Sequence, residues 1–245
     1  KSVKNIPVFV PSMPTERDIR KFLKRIDSAR IYSNFGPLLD ELEEKFCRYF
    51  EIPRENLVLL SNATVSLEGA IQTSQVSSWV CPSWSFAATG QALCRSHTNF
   101  RFIDIDEDGR ISENSLGRLS GTYDAVVDVL PFGDTFSLRR YSTLPKVMLI
   151  DAAASFDALG GIGRALLSEY EKNRIGVIVS LHATKLVSTG EGGIFFSNDP
   201  QWVKSVRNWS RFGFANGERI SYQSGTNAKL SEYSAAVGLA SIDNW

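Results

Sequence analysis

The sequence predicts an α/β fold: a mostly parallel, doubly wound sheet with flanking helices. Three observations lead there: short apolar runs, helical patterns interleaved between them, and turn residues at the junctions. The runs are LVLL (57–60), WVC (79–81), FRFIDI (100–105), DAVVDVL (124–130), VMLI (147–150), VIVSL (177–181) and GIFFSN (193–198). They are continuously apolar instead of alternating, the pattern of strands covered on both faces. Helices between such strands act as crossovers, which makes neighbouring strands parallel.

Taken in order, ERDIRKFLKRI and LLDELEEKFCRYF carry apolar residues at three- and four-residue steps and read as amphipathic helices. YSNFGP between them is a turn-rich connection. These elements make residues 1–50 an N-terminal helical segment, followed by a large domain over residues 51–245. LVLL passes through SNAT into VSLEGAIQTS, which has helical spacing. WVC passes into PSWSFAATGQALCRS, helical after the proline. Trp202, Trp209 and Phe212 share a helical pattern that begins after DPQW and read as packing residues. GGIGR (160–164) lacks the dinucleotide-binding glycine spacing and reads as a turn, and STGEGG fails the same test. DIDEDGR (104–110) lacks the later bidentate acid of a calcium loop and reads as strand then turn.

The chain has 245 residues, 43% of them apolar, enough for one substantial core. Lys plus Arg and Asp plus Glu are both 27, so the net charge is zero. With no basic run interleaved with aromatics, a nucleic-acid surface is not expected. The apolar runs are too short to span a bilayer. The opening KSVKNIPVFVPSMPT is interrupted by prolines, has no small-residue cleavage site and is not read as a signal peptide. It lacks an initiator Met, so a few residues are expected to precede it. Cys47, Cys81 and Cys94 are odd in number and have no CxxC spacing, which favours reduced thiols in a cytoplasm over disulfides or zinc. Cys81 and Cys94 read as small buried hydrophobes.

Ligands of such sheets bind beyond the carboxyl ends of the strands. There the unusual residues gather: SNAT after one strand, PSWSF after the next, Asp151 ending VMLI and SLHATK ending VIVSL. Alone, Asp151 reads as an N-cap for AAASFDAL, Lys185 as a solvated lysine, Asn62 or Thr64 as a helix cap, and Trp84 and Phe86 as core aromatics. Together they match the needs of pyridoxal phosphate. These are a lysine for a Schiff base, an acid to keep the pyridine nitrogen protonated, small residues at a helix N-terminus for the phosphate, and an aromatic cover.

The stretch SLHATKLVSTGEGG (180–193) resembles the lysine motif of the DegT/DnrJ/EryC1/StrS sugar aminotransferases, of form SFHxTKxxxxGEGG. Those are pyridoxal-phosphate enzymes of fold type I, the aspartate-aminotransferase fold. YSNFGPLLDELEEKF, SNAT, PSWSFAAT, DAAAS and SGTNAKLSEYSAAVGL resemble further motifs of that family and fall in its order, from Ile6 almost to Trp245. The resemblance implies that Lys185 forms the Schiff base and shuttles the proton, and that Asp151 pairs with the pyridinium nitrogen. It implies that Phe86 stacks on the ring with Trp84 adjacent, and that Ala63, Thr64 and Ser180 hold the phosphate. Asn227 would reach the phosphate of a neighbouring subunit, making a homodimer part of the site. Glu191 and the following glycines shape the loop behind the lysine, and His182 is structural.

The implied activity is transfer of an amino group from an amino acid, expected to be glutamate, to a keto group of a nucleotide-linked sugar. Two alternatives stay open: a non-catalytic homologue that binds cofactor, and a pyridoxamine-dependent sugar dehydratase, whose relatives carry histidine in place of the lysine. The family usually has Gln or His three residues after the aspartate, where this chain has Ala154. It also continues beyond the segment ending at Trp245, so the small C-terminal domain is expected to be largely missing.

Overall fold

A computed structural model describes residues 10–137, 140–141, 145–169 and 173–245. The start of the KSVKNIPVF stretch, and with it the signal-peptide question, lies outside them. The strands are β1 (Leu57–Leu60), β2 (Ser78–Pro82), β3 (Asn99–Ile103), β4 (Ala125–Val129), β5 (Val147–Asp151), β6 (Arg174–Ser180) and β7 (Gly193–Ser197). They form one sheet in the order β1-β7-β6-β5-β4-β2-β3. β7 runs antiparallel to both neighbours and the remaining pairs are parallel. The expected mostly parallel sheet is therefore what forms, and its strand order reverses between β2 and β4.

The helices are α1 (Glu16–Ala29), α2 (Pro37–Phe50), α3 (Ala63–Thr73), α4 (Ala87–Arg95), α5 (Glu113–Arg118), α6 (Ile162–Glu169), α7 (Pro200–Trp209) and α8 (Glu232–Asn244). Successive strand residues alternate faces, and two cores result. Leu57, Leu59, Met148, Ile150, Val177, Val179, Ile194 and Phe196 meet apolar residues of α1, α2, α5, α6 and α8. Val58, Leu60, Val147, Leu149, Ile178 and Phe195 meet those of α3, α4 and α7. Both faces being covered explains the unbroken apolar runs.

Local chemistry starts the helices where the sequence changes character. Thr15 and Asp18 bracket the first turn of α1, with the Thr15 N–H and hydroxyl donating to Asp18 at 2.8 and 2.7 Å. Pro37 opens α2, where its missing N–H costs nothing. The edge strand β1 is closed by side chains. Leu59 N–H donates to buried Glu43 at 2.9 Å, and Arg207 donates to the Leu57 carbonyl at 2.9 Å. These bonds occupy outward-facing backbone groups that an open edge would leave for another strand.

Five expectations need correction. FRFIDI is not a buried strand: Asn99, Arg101 and Phe102 of β3 are exposed, because β3 is the other edge and few side chains cover it. PSWSFAAT turns helical only at Ala87, after Phe86 as N-cap, so the loop beyond β2 is longer than the proline suggests. Phe212 leaves the α7 stripe; Trp202 and Trp209 are buried on the helix, while Phe212 lies past its end at φ 63° and is half exposed. Cys94 is exposed on α4, whereas Cys81 is buried in β2. GGIGR is a turn only at Gly160 and Gly161 (Gly161 φ 71°), while Ile162, Gly163 and Arg164 already form the first turn of α6.

Candidate functional site

Asp151 ends β5 on the face covered by α3, α4 and α7. It follows Leu149 by two residues, and Leu149 belongs to that core. The residue is 5% exposed. Thr89 of α4 donates its hydroxyl to Oδ2 at 2.7 Å, and the Ala153 N–H donates to Oδ1 at 3.2 Å. Burial pushes the Asp151 carboxyl up, while the bonds from Thr89 and Ala153 and the charge of Lys185 pull it down. Residues 152–156 form a turn and not the expected helix, so Asp151 caps a bend through Ala153.

Ser180 ends β6 on the same face, two residues beyond Ile178, the register partner of Asp151. In the next step across the sheet Ser180 pairs with Gly193 of β7, and Gly193 pairs with Leu60 of β1. That row meets the N-terminus of α3. A Cβ added at Gly193 would lie 2.5 Å from the Asn62 carbonyl and from Ser66 Oγ, so only glycine lets the helix end sit this low over the sheet. Asn62 caps α3 by accepting from Val65 N–H at 3.0 Å. Ala63 and Thr64 are the first two helical residues, whose N–H groups have no carbonyl within the helix to reach. That positive helix end lies against Gly193, the register partner of Ser180.

Lys185 sits in the loop that reverses β6 into β7. The loop is pinned by backbone bonds from Leu181 to Gly192, Ala183 to Gly190, Lys185 to His182 and Thr189 to Leu181, each 2.9 Å. Ser188 adds a hydroxyl bond to the Leu181 carbonyl at 3.1 Å, and its N–H donates to Ser241 of α8 at 3.0 Å. Gly190 takes φ 82°, a conformation that suits glycine. Thr189 donates to the Glu191 carbonyl at 2.8 Å, and the Glu191 side chain is 3.8 Å from His182 Nε2. His182 is itself tied to Thr184, Nδ1 to Oγ1, at 3.0 Å. Lys185 is partly buried within this hydrogen-bonded frame.

The aromatic residues divide. Phe86 is the N-cap of α4 and is 80% exposed. Trp84 packs toward Gly109, where an added Cβ would meet its ring at 2.8 Å, and its centroid lies 5.8 Å from that of Phe132. Asn227 is exposed, on a segment that hydrogen-bonds the end of β1 through Ser61 N–H to the Ala228 carbonyl at 2.8 Å. Its side-chain oxygen accepts from Lys229, whose ammonium is pulled down by burial. Ala154 is exposed beside Gly133. Among the described residues no cluster of His, Cys, Asp and Glu could hold a metal ion, and no helix is long and apolar enough to cross a membrane.

Residues 14–244 match the DegT/DnrJ/EryC1/StrS aminotransferase family. The chain belongs to that family. The dTDP-4-amino-4,6-dideoxy-D-glucose transaminase of Shigella dysenteriae is 27% identical over 251 residues, 97% of this chain and 65% of that protein. A solved Bacillus cereus protein assigned as a PLP-dependent aminotransferase superposes with TM-score 0.82 at 27% identity, over 99% of this chain and 67% of that one. DesI, solved in the presence of its TDP-sugar product, superposes with TM-score 0.80 at 27% identity, over 99% of this chain and 62% of that one. The chain thus spans about two thirds of the length of these relatives.

Within the family segment, two residues with structural consequences escape a reading of the sequence. Thr89 is the last residue of PSWSFAAT; its signal is a hydroxyl in the first turn of a helix that packs on the sheet. Glu232 follows Ser231 in the segment opening α8 and is buried at 1% exposure. Its carboxylate accepts the N–H groups of Leu38 and Leu39 at the start of α2, a pairing that no local pattern announces.

Proposed function

We propose that this chain carries the cofactor-binding core of a pyridoxal-phosphate aminotransferase. It would pass an amino group from an amino acid, with glutamate the expected donor, to a keto group of a nucleotide-linked sugar in the cytoplasm. The observation that carries this reading is the buried Asp151 carboxylate, hydrogen-bonded by two neutral donors, at the tip of a strand. A carboxylate there is costly until a cation meets it, and a protonated pyridine nitrogen is such a cation. The residues fit the group: glycine at 193 lets the N-terminus of α3 sit close over the sheet beside Ser180, and the charge of Lys185 reaches Asp151.

Bound pyridoxal phosphate supplies an electrophilic carbonyl and a ring able to take up an electron pair. The chain supplies the rest. Ala63 and Thr64 N–H groups and the Ser180 hydroxyl bind the phosphate at the positive end of α3. Asp151 holds the proton on the ring nitrogen, Phe86 covers the ring and excludes water, with Trp84 beside it, and Lys185 moves the proton at the substrate carbon. Asn227 would serve the phosphate of a second copy, in a homodimer with shared sites. The sugar-nucleotide substrate is supported by the Shigella relative and by DesI, solved in the presence of its TDP-sugar product.

The test is an absorbance spectrum with added pyridoxal phosphate, before and after borohydride, for the wild type and Lys185→Ala. A band that reduction fixes covalently to the wild type alone supports the reading. A band without dependence on Lys185 refutes it in favour of a cofactor-binding protein without turnover.

A further inference from the structure

Thr89 and Asp151 come from different layers, 62 residues apart, and meet at 2.7 Å with the threonine fully buried. Thr89 is the third residue of α4, and its own N–H closes the first turn onto the Phe86 carbonyl at 3.2 Å. A threonine in a helix commonly turns its hydroxyl back to a carbonyl of the preceding turn; here it donates to the strand tip instead. With the Ala153 N–H on Oδ1, both carboxylate oxygens are tied, which restrains rotation of the side chain. An ionised carboxylate offers about four lone-pair sites, so two remain for a further donor.

We propose that Thr89 is a positioning residue: its hydroxyl sets the rotation of the Asp151 carboxylate so that a free lone pair meets the ring nitrogen of pyridoxal phosphate. This rests on the cofactor reading above. The same helical turn bears Phe86 at its cap, so α4 sets the height of the ring's cover and the orientation of its anchor as one rigid piece. Hydroxyl loss frees the carboxylate and leaves Oδ2 short of a partner in a buried place.

The experiment compares wild type, Thr89→Val, which keeps the shape and removes the hydroxyl, and Thr89→Ser, which keeps the hydroxyl. Pyridoxal phosphate affinity is read by quenching of tryptophan fluorescence, and the orientation of the bound ring by visible circular dichroism. The Asp151 carboxyl is titrated by 13C NMR in cofactor-free protein, where Cys81 of β2 and Lys185 are the titratable neighbours facing it. Thr89→Val is expected to bind about ten-fold more weakly, with reduced circular dichroism per bound cofactor and an Asp151 midpoint moved upward. Thr89→Ser is expected within about two-fold of wild type. Wild-type affinity and dichroism in the valine variant would overturn the proposal, as would equal impairment of valine and serine, which would make packing the cause. Failure of the wild type itself to bind overturns the cofactor reading, and the proposal with it.

Discussion

Glu232 caps helix α2 through Leu38, 194 residues earlier in the chain, its carboxylate accepting the Leu38 N–H at 2.8 Å and the neighbouring Leu39 N–H at 2.9 Å. An anion at a helix N-terminus meets both the unpaired N–H groups and the positive end of the dipole. The contact locks the start of α2 to the start of α8, and an added Cβ at Gly36 would collide with the carboxylate at 2.6 Å. Glu232→Ala strands two buried donors and is expected to cost about 3 kcal/mol, read as a lowered urea midpoint. Glu232→Gln keeps one acceptor and is expected to lose about half as much. Equal stability of all three proteins would refute this account.

Asp151 should trade stability against cofactor binding. Its folded pKa is raised above 3.8, chiefly by burial. The stability it contributes is therefore complete below that value and is lost as pH rises through the folded one. At neutral pH its ionised form burdens the cofactor-free protein. Asp151→Asn is expected to raise the melting temperature without cofactor, by on the order of 1 kcal/mol of stability, and to weaken pyridoxal phosphate binding. Thermal melts at pH 7 and pH 4 check the sign: the advantage of the asparagine variant should shrink at the lower pH.

Gly193→Ala tests the corner below α3. The new methyl meets the Asn62 carbonyl and Ser66 Oγ at 2.5 Å, so the helix start must rise from the sheet, at about 1–3 kcal/mol. That lifts the Ala63 and Thr64 N–H groups away from the row that bears Ser180. Affinity for pyridoxal phosphate should fall more than affinity for pyridoxal, which lacks the phosphate. An equal fall for both would point to general unfolding instead.

The thiols should separate kinetically. Burial pushes Cys47 up to about 11 and Cys81 up to about 12, while Cys94 is exposed. Because the thiolate is the reacting form, one thiol should react with a disulfide reagent in seconds at pH 8. The other two should react at the rate of opening of the fold. Three fast thiols in native protein would contradict the packing of β2 and α2.

The placement of the candidate site residues was legible because they are concentrated in short motifs at strand ends. Asp151, Ser180, Ala63 and Thr64 fall where a parallel sheet delivers its ligand-facing positions, and strand parity puts Asp151 and Ser180 on one face. Cys94 and β3 were misjudged for one reason: local hydrophobicity does not say whether a neighbouring layer exists to cover it. Phe212 fits a helical stripe, yet the chain leaves the helix at Ser210 and turns at Phe212 to bring 226–228 back to the end of β1.

The sequence by itself determined the layer architecture, the order of strands and helices and the segment that bears Lys185, because periodicity, apolar runs and turn residues act over a few neighbours. Only the tertiary structure decided that β7 reverses direction between β1 and β6, that Thr89 holds Asp151, and that Glu232 closes α2. Each of those contacts joins residues tens to hundreds of positions apart, and the burial that makes them strong exists only once the layers have closed.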